Sequence, residues 1–480
     1  MTWANRLAFV LVCATVVFST LAYGTVHQPV IAVFYAVTAM LAVLWALDGV
    51  IGGSVRFSRS LLQIPLLAAA VYGLIQVIPF GSIGQIAGVP DIPRTISLDP
   101  FATQVSALHF FALFLFLAVT LWLLDSAARL RRLANVIIIF GFCYAFFAIL
   151  QSVLSPDKIY GIYETRFAVP FGSFVSRHNF AAFMEMTLAI PLGLVFVGAI
   201  RPDKRLLYFT AIGLMGVALL LSGSRGGFVA LVAEIILVIL LTTGQEGRRK
   251  TVLKIALSLA LLTAVVGGAV YVGGETSLTR IAETASADDV TTGRSHIWHV
   301  ASEMIAANFP FGAGLGAFGV AYTPFDNLSG LERVEQAHND YLQVLTDAGL
   351  VGLVIGAFFL VVLIREGIGT PRIENTYRRG LAVGAFAGSC AILVHSIFDF
   401  VLHTTAIAVL FLVLISILTA SRNSFKDDVE EFASRPAKKR KAGSVASISR
   451  SGGRAAMSGG MLRTATQEFR PGVCAANADG

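Results

Sequence analysis

The sequence predicts an all-α polytopic membrane protein of about twelve transmembrane helices with one large polar loop. Three observations lead there. Of 480 residues, 56% are hydrophobic and 14% are charged, whereas soluble domains carry about 25% charged residues. A soluble protein this large could not hide so much apolar surface. Apolar runs long enough to span a bilayer, roughly 20 residues each, recur along the chain. Basic residues collect in alternate connections between those runs.

Taken in order, the runs lie at about 6–23, 29–47, 60–79, 105–124, 133–153, 179–199, 206–222, 227–243, 253–273, 347–364, 380–397 and 403–420. The first, Leu7 to Tyr23, has the look of a signal peptide, but the many spans after it favour an uncleaved first helix. With the N-terminus inside, the inner connections hold sixteen basic residues, among them Arg129, Arg131, Arg132, Arg248, Arg249, Lys250, Arg378 and Arg379. The outer connections hold eight: Arg94, Lys158, Arg166, Arg177, Arg225, Arg280, Arg294 and Arg333. The positive-inside rule then puts both termini in the cytoplasm and the 274–346 loop outside. The net charge of +7 is thus a topology signal and does not imply a nucleic-acid partner. Cys13, Cys143 and Cys390 fall in apolar runs and Cys474 in the tail. No outer cysteine pair exists to form a disulfide or a metal site. The tail, 421–480, is rich in Ser, Gly, Ala, Lys and Arg and reads as disordered. Its KKRK run, Lys438 to Lys441, is either a solvated stretch or a contact for anionic headgroups.

Candidate chemistry gathers in the loop. His338 precedes a helical pattern that feeds the span after Gly349. The positive end of that helix disfavours imidazolium, leaving a ring able to accept a proton, with Asn339 or Asp340 to orient it. The bland alternative is a capping or surface histidine. From Arg294 to Asn308, Ile297, Val300, Ala301, Met304 and Ile305 recur at helical spacing and Pro310 closes the segment. This is an amphipathic helix lying on the membrane. Thr292 is its candidate N-cap. Arg294 in its first turn is either a phosphate ligand or an ordinary interfacial arginine. Arg225 sits in the short turn SGSRGG, Ser222 to Gly227. Its glycines allow close backbone approach and free N–H groups for an anion. Snorkelling to a headgroup explains it equally well.

Other polar residues read more simply. Glu185 and Glu234 lie within apolar runs; buried, hydrogen-bonded structural acids are the safer reading, though a membrane acid is functional by default. His109, His395 and Asp399 form a weaker set of the same kind. Gly312, Gly314 and Gly316 lack the strand before and the GK[ST] after that a phosphate loop needs, and read as a flexible turn. Asp288, Asp289, His296 and His299 match no metal motif.

Four motifs then stand in a fixed order: SGSRGG in a tight outer turn, RSHIW opening the loop, FPFGAGLGAF after it, and HNDYLQVLTDAGLVG at its end. Together they resemble the O-antigen ligase and Wzy-type polymerase family over roughly 171–356, and the span pattern fits 1–420. The resemblance implies a GT-C-like, metal-independent glycosyltransferase without a cofactor. Its donor would be a glycan on undecaprenyl diphosphate and its acceptor a lipid or glycan hydroxyl, in the inner membrane with the site on the periplasmic side. The family's turn arginine falls on Arg225, its loop arginine on Arg294, its loop histidine on His338, and the Asn before the sixth span on Asn179. Asn339 adjoins the histidine as a further substrate-binding candidate. Arg177 and His178, where relatives vary, and the tail carry nothing over. With no metal, cations must neutralise the leaving diphosphate and a base must take the hydroxyl proton, in one inverting displacement. A ligase and a repeat-unit polymerase are not separable on these residues. A small-anion carrier, as bicarbonate transport has been described for some relatives, would expect functional charges deep in the spans and inverted repeats. A scaffold would leave the arginines and histidine unexplained.

Overall fold

The structure is a computed structural model describing residues 2–84, 89–165, 168–243, 248–273, 294–328 and 333–422. Thr292, Asp288 and Asp289 in the loop and the whole tail from 423, with its KKRK run and Cys474, lie outside these.

The described chain is all-α apart from a two-residue hairpin pairing Lys158–Ile159 with Tyr163–Glu164. The first five helices are α1 (Trp3–Leu21), α2 (Gln28–Gly52), α3 (Ile64–Gln76), α4 (Pro100–Leu123) and α5 (Ala127–Leu154). Next come α6 (Arg177–Val197), α7 (Arg205–Leu221), α8 (Arg225–Thr243) and α9 (Arg248–Gly273). The loop supplies α10 (Arg294–Ala307) and the short α11 (Phe318–Tyr322). The chain then forms α12 (Asp340–Ile368), α13 (Thr376–His395) and α14 (Thr405–Arg422).

Among the described residues ten helices are long and apolar enough to cross a membrane, namely α1, α2, α4 to α9, α12 and α14. The protein is an all-α polytopic membrane protein. The predicted spans at 60–79 and 380–397 are α3 and α13, and each is special. Apolar helical residues Leu61–Gln76 reach only about 24 Å at 1.5 Å per residue, short of a hydrocarbon core of about 30 Å. α13 is long enough but less apolar, because it carries Arg378, Arg379 and His395 at its ends, while its middle is built from small residues that let backbones touch. A Cβ on Gly193 of α6 would sit 2.4 Å from the backbone nitrogen of Gly384 on α13. Close small-residue contact is how helices associate where lipid is as apolar as leucine. α6 and α14 run through the middle of the assembly, with 89% of each span buried, and α13 packs against both.

The helix starts have local causes. Asp99 caps α4 by accepting from Ala102 N at 3.0 Å. Asn339 caps α12 by accepting from Tyr341 N and Leu342 N at 2.9 and 3.1 Å, satisfying two N–H groups that have no partner within the helix. Inside α12 the chain kinks at Gly349, φ 56°, so a short helix carrying Asp340 precedes the span proper. The predicted flexible turn at 312–316 is instead held in that kink. Leu350 N donates to Pro310 O at 2.8 Å, and Ala313 N and Gly314 N donate to Thr346 O and Asp347 O. Gly316 N donates to Asp347 Oδ2 and Leu315 N to Gln76 Oε1, each at 3.0 Å. Gly312, Gly314 and Gly316 all have positive φ, which glycine adopts at no steric cost. This is why the segment fits against α12 at all.

Candidate active site

The starts of α6, α8, α10 and α12 meet the turn between α13 and α14 at one end of the assembly. The centre is Asp399, in that turn and only 5% exposed. Its Oδ1 lies 3.3 Å from His338 Nδ1. Its Oδ2 lies 3.3 Å from Arg294 Nη2 and 3.7 Å from His178 Nδ1. Arg294 also donates through Nη1 to Phe398 O. Burial alone would raise the carboxyl of Asp399. The hydrogen bond from His338 and the neighbouring His178 and Arg294 outweigh it and hold the group well below the usual carboxylate range. Asp399 is a permanent anion between two basic residues of the loop.

His338 is held from several sides. It stands one residue before the N-cap of α12 with φ 50°, a region in which non-glycine residues are uncommon but histidine is enriched. The ring of Phe400 meets its imidazole edge-on, centroids 4.7 Å apart. Asn339 Nδ2 donates to Ile397 O at 3.0 Å, and Asp340 N donates to Ser396 O at 3.0 Å. These bonds clip the start of α12 to the 396–400 turn. The partner of the His338 ring is therefore neither Asn339 nor Asp340. Asn339 is committed to the cap and to Ile397, and Asp340 accepts from His403 at 2.7 Å. Asp399 takes the orienting role. Its bond to Nδ1 leaves Nε2 as the other nitrogen of a ring that is one-third exposed.

Arg225 opens α8, half-buried, at the same end. Its neighbours fix the turn: Ser224 Oγ lies 3.0 Å from His178 Nδ1, and a Cβ on Gly226 would meet the ring of His395 at 2.7 Å. Arg177 reaches the same turn, with Nη1 3.7 Å from where a Gly223 Cβ would be. Arg294 and His338 are thus brought together directly through Asp399, and Arg225 joins them through its turn. Asn179 lies in the first turn of α6, half-exposed, and its side chain makes no hydrogen bond among the described residues.

From the sequence alone Asp399 is a weak candidate and His178 carries nothing over from the family. The available signal was HSIFD, which puts His395 and Asp399 four apart where a span ends. The loop histidines go elsewhere. His296 pairs with Asp326 at 2.9 Å and His299 with Glu303 at 3.5 Å, so they do not share a ligand position. A cleft of about 510 Å³ lined by Arg365, Arg372, Arg422, Val361 and Ile364 belongs to the other end of α12.

An anion-fixed imidazole beside several guanidinium groups can take a proton from a hydroxyl while it holds a phosphate-bearing partner. Residues 210–357 match the family model described as O-antigen ligase. The match contains Arg225, Arg294, His338 and Asn339 but neither Asn179 nor Asp399. No curated protein matches the chain.

Proposed function

We propose, from the match of residues 210–357 to the O-antigen ligase family model on a polytopic membrane protein, a metal-independent, inverting glycosyltransferase of the inner membrane that serves surface-polysaccharide biosynthesis. It moves a glycan from undecaprenyl diphosphate to an acceptor hydroxyl on a lipid or sugar. Both termini are cytoplasmic, and the 274–346 loop, with the site, is periplasmic. The observation that carries the reading is the meeting of His338 and Arg294 on Asp399, beside the Arg225 turn.

In this reading Arg225 and Arg294 grip diphosphate oxygens. Arg294 commits two of its five N–H donors to Phe398 O and Asp399, which fixes the plane of its guanidinium fork before the donor arrives. His338 takes the acceptor proton on Nε2. The acceptor oxygen forms its bond to the anomeric carbon from the face opposite the diphosphate, and the bond to the bridging diphosphate oxygen breaks. Asp399 stabilises the imidazolium that forms, as the carboxylate does in a Ser-His-Asp triad. The arginines neutralise the charge that grows on the leaving group. Asn179 contributes a hydrogen bond to the donor, and Asn339 serves by holding the start of α12.

Glycan analysis of a deletion strain tests this. Loss of long surface glycan with accumulation of full-length lipid-linked glycan is the expected result. Surface glycan cut to a single repeat unit would make the protein a repeat-unit polymerase acting on the same donor. Unchanged glycans with altered anion uptake would make it a carrier, which the buried Glu185–His395 pair would also suit.

A further inference from the structure

Behind the site, a file of groups runs from the outer end of α6 into the interior. His178 Nδ1 lies 3.0 Å from Ser224 Oγ. Ser224 Oγ lies 3.4 Å from His395 Nε2. His395 Nδ1 lies 3.1 and 3.3 Å from the two oxygens of Glu185. His178 is about a quarter exposed, whereas Glu185 and His395 are each 0% exposed. Glu185 lies seven positions after His178 on α6, about 10 Å along the axis. The file links a partly exposed imidazole to a fully buried carboxylate on a candidate membrane span.

The donors and acceptors balance in two ways. A hydroxyl gives one hydrogen bond and accepts two, and Ser224 Oγ also accepts from Gly227 N at 3.2 Å. With Glu185 ionised, His395 donates from Nδ1, Ser224 donates to His395 Nε2, and His178 donates from Nδ1 to Ser224. His178 Nε2 is then the open acceptor. With Glu185 protonated, each bond reverses and every member is again satisfied. A lone structural ion pair would need neither Ser224 nor His178.

We propose that His178, Ser224, His395 and Glu185 form a proton relay that draws the proton released at the site inward and stores it on Glu185 until the product leaves. The inference rests on the transferase reading. His338 takes the acceptor proton, and its imidazolium passes it through solvent at the site to His178, whose ring lies against the other oxygen of the same carboxylate, Asp399. His178 gains the proton on Nε2 and gives its Nδ1 proton to Ser224. Ser224 gives its own proton to His395 Nε2, and His395 gives its Nδ1 proton to Glu185. One proton enters, one carboxyl forms, and both rings end neutral with exchanged tautomers. The benefit is electrostatic. A persistent imidazolium at His178 would have Asp399 on one side but Arg177 and Arg294 on the other, whereas the stored proton neutralises a buried anion. The charged or titratable groups that face the file are Asp399, Asp340, Arg177 and Arg294 at its outer part, and Glu234 of α8 beside Glu185.

The test uses the full-length protein in lipid nanodiscs and two readouts. After a rapid drop in external pH, infrared difference spectroscopy follows the protonated-carboxyl band that Glu185→Gln abolishes. That band is expected to rise quickly in the wild type and in Ser224→Thr, which keeps the hydroxyl. In Ser224→Ala it is expected to be slower by about an order of magnitude or more. In transfer assays Ser224→Ala is expected to lose about tenfold in kcat, less than the roughly 10²- to 10⁴-fold worth of a direct base, at unchanged donor KM. Added imidazole restores that loss by carrying the proton off in solution. A Ser224→Ala band that rises at the wild-type rate, or no Glu185 band at any pH, overturns the relay. If the band behaves as expected but no donor is ever turned over, the transferase reading fails and the relay stands.

Discussion

His338 Nδ1 and Asp399 Oδ1 lie 61 residues apart in sequence and 3.3 Å apart in space. The carboxylate holds one nitrogen of the ring, leaving the other for chemistry, and its second oxygen binds Arg294. One buried anion therefore sets the geometry of both the proposed base and a proposed phosphate ligand. Asp399→Asn keeps the shape but not the charge. It is expected to lower transfer about 10²-fold or more, within the worth of a general base, in protein of normal abundance. Wild-type transfer by Asp399→Asn would show that the ring needs no anionic partner.

The same carboxylate makes stability depend on pH. A carboxyl held below its usual range in the folded state adds stability at pH values above its unfolded value, near 3.9. That stability is lost as pH falls through that value toward the folded one. Thermal unfolding in detergent should therefore find the wild type more stable than Asp399→Asn at neutral pH, with the gap narrowing below about pH 4. A gap that stays constant down to about pH 3 would mean that Asp399 is not held low by its neighbours.

Guanidinium at position 294 makes two directed bonds, to Phe398 O and Asp399, and an ammonium cannot reproduce that fork. Arg294→Lys should lose one charged hydrogen bond, about 1.5–3 kcal/mol or roughly 10- to 100-fold in rate. Arg225→Lys is expected to be impaired through the same loss of a bidentate grip on phosphate. Near-normal transfer by either lysine variant would reduce that arginine to a point charge.

Gly349 is the backbone position on which the site's support turns. A Cβ there would lie 2.2 Å from Pro310 O, at a φ that L residues avoid. Gly349→Ala is expected to cost about 1–3 kcal/mol and to release the 309–316 segment from α12. Gly356→Ala on the same helix meets nothing within 4 Å and should be near neutral. Equal thermal stability of the two variants would contradict this packing.

Orientation is tested by labelling single cysteines, with the native cysteines replaced. Ser302 is exposed on α10 and Lys204 is exposed before α7. An impermeant maleimide should reach Ser302→Cys in intact spheroplasts and Lys204→Cys only after permeabilisation. The reverse pattern would invert the topology.

The fold was legible because its signals are local. Apolar runs mark the spans, the 3.6-residue period marks Arg294 to Asn308, and Gly349 marks the joint before the last part of α12. The start of a helix just after His338 is legible in the sequence, but that Asn339 is its cap is seen only in the structure. The site was legible only where a residue announces itself, as Arg225, Arg294 and His338 do by being polar at a rim. Asp399 was ranked low because its importance lies in contacts with residues 61 and 105 positions away, which no spacing rule reports. Glu185 reads from the sequence as a buried structural acid. That its partner is His395, 210 positions away, follows from the α6–α13 contact at Gly193 and Gly384, a pairing between distant helices that no local pattern reports.

The central claim is that His338 is the base, and purified protein with a lipid-linked donor and its acceptor tests it most directly. The wild type should transfer glycan equally with and without a chelator. His338→Gln, which can hold a hydrogen bond but cannot take a proton, should fall by about 10²- to 10⁴-fold while binding the donor as before. A His338→Gln protein that transfers at the wild-type rate would contradict the claim.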